Sequence, residues 1–144
     1  MATQVDFYLL QNAIGKDACE QFACRLLNKI YRQNQQAAVL LTDSHSAEQF
    51  NDLLWTFNDI SFVPHRLVTE NNPAPIVLGW SLDSFPADLH TLIINLTNQA
   101  LVSTTTLQRI IEIVASDPNS KQAGRTRYRA YQQQAYTLHT HTIN

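Results

Sequence analysis

The sequence predicts a layered α/β domain with a mostly parallel sheet, and three observations carry that prediction. Strand and helix signals alternate from the start: an apolar run at 5–10, a helical period over 16–33, a second run at 37–41, then a helix to 57. The run 37–41, AAVLL, is apolar throughout, as central strands covered on both faces are. RIIEIV at 109–114 fits helix or strand, its β-branched residues favour strand, and a basic helix leaves that strand's C-terminal end, where α/β folds place their binding sites.

The first run, VDFYLL, mixes apolar and aromatic residues as a buried strand does, and residues 12–15 turn the chain. In the helix that follows, Cys19, Phe22, Ala23, Leu26, Leu27 and Ile30 recur at three-and-four spacing and form one apolar stripe. Residues 42–46 lead into the next helix, which Ser44 or Ser46 would cap. Residues 59–75 hold Pro64, Asn71, Asn72, Pro73 and Pro75 and are expected to form a loop with little regular structure. Further strands are expected at 76–78 and 91–96, on either side of the Pro86 loop, and one helical turn at 104–108. Pro118 with Asn119 and Ser120 supplies a stop and a cap, so the basic helix is expected over 120–134.

At 144 residues with 44% hydrophobic content, the chain fits one domain, 1–144, with its own core. Cys19 and Cys24, five apart on one helix, project to different faces, so a role in packing is expected rather than a disulfide. The opening MATQVDFYLL has no basic n-region, and no apolar run approaches the roughly eighteen residues of a membrane span. A soluble, cytoplasmic protein without a membrane partner is the expectation.

Charge is strongly polarised along the chain. Up to Asp117 there are six basic and twelve acidic residues, a balance of −6, whereas the remainder carries +4 and no acid, giving −2 in total. Lys121, Arg125, Arg127 and Arg129 fall within nine positions. At about 100° per residue, Lys121, Arg125, Tyr128, Arg129 and Gln132 share one helical face, and Ala123, Gly124, Ala130 and Tyr131 the opposite one. Arg127 belongs to the second set and is expected to anchor the helix through a carboxylate or carbonyl. Cations beside an aromatic ring suit an acidic ligand that carries an apolar group. A solvated basic face without a partner is the plainer account of such a run.

Nucleotide chemistry is excluded by composition. Gly15, Gly79 and Gly124 are the only glycines and none lies near another, so neither a dinucleotide fingerprint, a phosphate-cradling loop nor a nucleophile elbow can be written. Asp43, Ser44 and His45 are consecutive after a strand, but adjacency in sequence is not triad geometry, and capping accounts for Asp43 and Ser44. His139 and His141 would face one way only in an extended tail, and two ligands without further company make a poor metal site, so a solvated tail is expected. No cofactor and no metal are expected. Leu53, Leu54, Trp55, Phe57, Phe62, Val63 and Pro64 place three aromatic rings at a helix-to-loop junction, a composition typical of interaction hot spots. Leu53, Leu54 and Phe57 are expected to pack the helix on the sheet, leaving Trp55 and Phe62 for a partner.

Five segments appear together and in order: VDFYLL, AVLLT, LLWTFNDISFVPH at 53–65, PIVLGW at 75–80 and RTRYRAY at 125–131. As an ordered set over 5–138 they resemble the chi subunit of the bacterial DNA polymerase III holoenzyme. The resemblance implies a single three-layer α/β domain, Rossmann-like but without a phosphate-binding loop, and no enzymatic activity of its own. It also implies two partners. One is a small psi subunit that attaches the protein to the clamp loader, expected at Trp55, Phe62, Val63 and Pro64, a surface that a helicase would share. The other is the acidic C-terminal tail of single-stranded DNA-binding protein, which ends in aspartates, a proline and a phenylalanine. The face bearing Lys121, Arg125, Tyr128 and Arg129 meets its demand for cations, and Val114, at the end of the preceding strand, would help form a slot for the ring.

The chain departs from the family pattern at the end of the basic helix. Many members carry further arginines there, with Gly at the position of Ala135 and Pro at that of Thr137, where this chain has Gln132, Gln133, Gln134, Ala135 and Thr137. Without Gly the helix is expected to end by a route other than the left-handed cap. The alternative function is direct binding of single-stranded nucleic acid by the basic helix. Four cations on a body of −6 argue against strong binding of a polyanion.

Overall fold

The computed structural model describes residues 3–57, 63–102 and 107–143, without the side chain of Ala87. The strands are β1 (Gln4–Leu10), β2 (Ala37–Leu40), β3 (His65–Leu67), β4 (Ile76–Gly79), β5 (Ile93–Asn95), β6 (Arg109–Val114) and β7 (Thr137–Ile143). The α-helices are α1 (Gly15–Arg32), α2 (Ser44–Thr56) and α3 (Pro118–Gln133). The strands form one sheet in the order β3-β4-β2-β5-β6-β1-β7, and every pairing is parallel.

Parallel strands need crossovers, and the crossovers make the layers. Alternate residues of each strand enter one of two apolar clusters. Val39, Leu41, Ile76, Leu78, Ile94, Ile111 and Ile113 meet Phe22, Ala23, Leu27 and Ile30 of α1 and Phe50 and Leu54 of α2. Val5, Phe7, Ala38, Leu40, Val77, Ile93, Ile110 and Val114 meet Tyr131 of α3 with Phe85, Leu89, Leu101 and Leu107. The three-layer α/β expectation holds, and all four residues of β2 are buried, as its unbroken apolar run requires. Cys19 and Cys24 are free thiols, and burial pushes the Cys24 thiol up to about 12, which suits packing.

Five local expectations change. The proline-rich loop contains strand β3, which adds to the sheet edge beside β4. Its short span, three residues, gave too little period to be seen. Asp43 caps α2, its carboxylate accepting the Ser46 N–H at 2.7 Å, and neither serine is the cap. Asp117 likewise caps α3, which begins at Pro118 because a missing N–H costs nothing in the first turn. The C-terminal tail is strand β7, paired with β1 along its whole length and not a solvated tail. The expected helical turn at 104–108 falls largely outside the described residues.

The helix end is the fifth change. Ala135 adopts φ 60°, its N–H donates to the Gln132 carbonyl at 3.0 Å, and the Tyr136 N–H donates to the Tyr131 carbonyl at 3.3 Å. This is a left-handed cap of the Schellman type formed without glycine. The tertiary demand that β7 return beside β1 outweighs the local strain of an alanine there.

Candidate peptide-binding site

Helix α3 is fixed to the sheet by a buried polar network. Glu112, fully buried in β6, accepts from Arg127 Nε at 2.8 Å, from the Tyr131 hydroxyl at 2.6 Å and from Asn95 Nδ2 at 2.7 Å. The Tyr131 hydroxyl in turn accepts the Leu101 N–H at 3.0 Å. Burial pushes the Glu112 carboxyl up, and Arg127, Tyr131 and Asn95 pull against that. Arg127 thus anchors the helix through a carboxylate, as its place on the wheel indicates, and takes no part in an outer basic face.

Gly124 brings the two elements into close contact. A Cβ at Gly124 would lie 2.9 Å from Val114 Cγ2, closer than two carbons pack. On the wheel Gly124 lies only about 40° from Tyr128, so it floors the basic face and is not opposite to it. Val114 stands directly beside Leu9 across the β6–β1 pairing, and Phe7 beside Thr140 across the β1–β7 pairing. The result is a cavity of about 160 Å³ lined by Phe7, Leu9, Val114, Gly124, Tyr128, Thr140, Lys121 and Arg125. The Phe7 and Tyr128 rings lie 5.3 Å apart and tilted, which fixes the tyrosine as one wall.

Lys121 and Arg125 are exposed at the rim, and Arg129 is exposed one turn beyond Arg125, outside the lining. Among the described residues none of these three cations is in an ion pair. An apolar slot with unpaired cations at its mouth can seat a ring and neutralise carboxylates at once. Of the residues expected from sequence, Val114, Lys121, Arg125 and Tyr128 converge here. Phe7, Leu9, Gly124 and Thr140 were missed. The alternation of Val5, Phe7 and Leu9 shows that they share a face, but only the strand order places that face beside α3.

The second expected surface is less uniform. Trp55 is 54% exposed and packs edge-on against His65 at 5.1 Å between ring centroids. Leu54 is buried, and Leu53 and Phe57 are half-buried against the core, so they hold α2 to the sheet. Val63 is buried at 3% exposure and cannot offer a contact surface, while Pro64 is half-buried. Phe62 lies outside the described residues.

At the C-terminal ends of β1 and β6, where a nucleotide fold would receive phosphate, the chain's own carboxylate sits. Asp117 accepts the Gly15 N–H at 2.9 Å, the Ser120 N–H at 3.1 Å and the Ser120 hydroxyl at 2.8 Å. Those bonds hold its carboxyl below the ordinary 3.8. His45 and Ser44 are exposed beside the Asp43 cap. Among the described residues no three His, Cys, Asp or Glu side chains come together to hold a metal.

Comparison with known proteins settles the family. The family model described as DNA polymerase III chi subunit, HolC, matches residues 2–139. The chain belongs to the chi subunit family. It is 36% identical over 141 residues to DNA polymerase III subunit chi of Pseudomonas aeruginosa, covering 98% of this chain and 97% of that one. It is 28% identical to the chi subunit of Escherichia coli, covering 94% and 95%. Membership in the chi family makes this chain a DNA polymerase III component of DNA replication, an accessory subunit. No helix among the described residues is long and apolar enough to cross a membrane.

Proposed function

We propose that the protein is a non-catalytic adapter that links the clamp loader, through a psi subunit, to the acidic C-terminal tail of single-stranded DNA-binding protein. The observation that carries this reading is the groove between α3 and the edge of the sheet. Its apolar lining of Phe7, Leu9, Val114 and Tyr128 matches a phenylalanine ring, and its rim of Lys121 and Arg125 matches the tail's carboxylates. Arg129, one turn along α3, extends the rim toward aspartates further from the terminus.

Trp55 supports the psi contact, because a half-exposed indole at a helix end is a strong anchor for a partner. Phe62, Val63 and Pro64 are assigned to the same surface on resemblance, with Val63 buried and Pro64 half-buried. A helicase using this surface would compete with psi. Cytoplasmic placement follows from the replication role.

The test is a titration of the protein with a short acidic peptide ending in phenylalanine, beside single-stranded DNA of similar charge. Saturable binding of the peptide with far weaker binding of the DNA is expected. The reverse order would favour the nucleic-acid-binding alternative.

A further inference from the structure

β7 is both a wall of the groove and, among the described residues, the outermost strand on that side of the sheet. Its pairing with β1 uses alternate residues. The Thr137 N–H donates to the Thr3 carbonyl, and the Gln11 N–H donates to the Ile143 carbonyl, at the two ends of an unbroken register. In a parallel ladder this phase turns the N–H and C=O groups of Thr137, His139, His141 and Ile143 toward β1. Those of Leu138, Thr140 and Thr142 therefore point to the open edge.

Side chains alternate as well, but between the two faces of the sheet. Leu138 packs into the cluster beneath α3 and Thr140 lines the groove, whereas His141 Nε2 meets Asp6 on the opposite face at 3.0 Å. Thr140 thus presents its side chain to the groove and its main-chain donor and acceptor to the free edge. No acid occurs after Asp117, and among the described residues Lys121, Arg125 and Arg129 form no ion pair, so an acidic chain meets cations and no acid of the C-terminal segment along this path. The main chain of a bound peptide has its own donors and acceptors to satisfy, and β7 offers them at the strand spacing.

We propose that the acidic peptide seated in the groove adds as an extended strand along β7, pairing its main chain with Leu138, Thr140 and Thr142. This deepens the tail-binding reading and rests on it. Strand addition also explains recognition: alternate peptide side chains turn toward α3, one ring entering the slot and a carboxylate two residues away meeting the cationic rim.

The test is hydrogen exchange on the full chain, with and without an acidic peptide ending in phenylalanine, joined to a scan of singly N-methylated peptides. The amides of Leu138, Thr140 and Thr142 should slow at least tenfold with peptide, while those of His139 and His141 stay as they were. The N-methyl scan should show an alternating pattern, with roughly three- to tenfold losses at every second position, the scale of a single hydrogen bond. Saturable binding that Lys121→Ala weakens, with no protection at Leu138, Thr140 and Thr142 and no alternation, would overturn the strand addition and leave the groove reading standing. Absence of saturable binding would remove both. Protection that grows with protein concentration without peptide would give the edge to a second copy of the chain and overturn the proposal.

Discussion

Gly124 and Val114 are in contact without a side chain between them: a Cβ on the glycine would come within 2.9 Å of one Val114 methyl and 3.1 Å of the other. Val114 is buried and β-branched, so it cannot swing aside, and the helix would have to move. Gly124→Ala gains about 0.5–1 kcal/mol of helix propensity but meets an overpacking cost of about 1–3 kcal/mol. A net loss of about 1 kcal/mol is expected in chemical denaturation, together with weaker binding of the acidic peptide because the groove floor shifts.

The Glu112–Arg127 pair is expected to show strong coupling. Arg127→Met leaves a buried carboxyl without its cation, and Glu112→Gln leaves a buried guanidinium without its anion. Each single change should cost about 3–5 kcal/mol, whereas the double variant should cost much less than the sum. Denaturation midpoints of the four proteins measure this. Additive losses would mean that the pair does not act as a unit.

Ala135→Gly should stabilise the protein by about 1 kcal/mol, since glycine adopts positive φ without the Cβ clash. A small rise in thermal midpoint with unchanged peptide binding is the expected result.

The Asp117 cap sets an acid limit. Its carboxyl is held below 3.8 by the Gly15 N–H and by the side chain and backbone of Ser120. A folded-state value below the unfolded one means a contribution present in full above about pH 4, which fades as pH falls through the folded value. Asp117→Asn should therefore lower the urea midpoint at about pH 6 and flatten its decline toward about pH 3. An unchanged acid limb would show that other carboxylates govern it.

The features readable in advance were those written in local pattern. The stripe of α1, the unbroken apolar β2, the outer cations of α3 and the inward Arg127 each follow from spacing along the chain. The groove was half readable, because its helical wall is continuous in sequence but its floor is assembled from β1, β6 and β7, far apart in the chain. Phe7, Leu9 and Thr140 become neighbours of Val114 only through strand order. Strand β3 is too short to show a period, and β7, with its alternating Thr and His, carries an apolar signal too weak to separate it from a tail. At Ala135 tertiary pairing overrode a local preference, which no local rule could anticipate.

Binding of an acidic peptide ending in phenylalanine to wild type, Arg125→Ala and Lys121→Ala, measured by fluorescence anisotropy at two salt concentrations, decides whether the groove receives the tail. Arg125→Ala should lose about 2 kcal/mol, or tens of fold, and Lys121→Ala a few fold, with both effects shrinking as salt rises. Removing the peptide's terminal phenylalanine should cost more than removing one aspartate, since burying a ring is worth about 1.5–3 kcal/mol and a screened charge less than about 1. A folded Arg125→Ala protein that binds the peptide as wild type does would contradict the claim that this groove receives the tail.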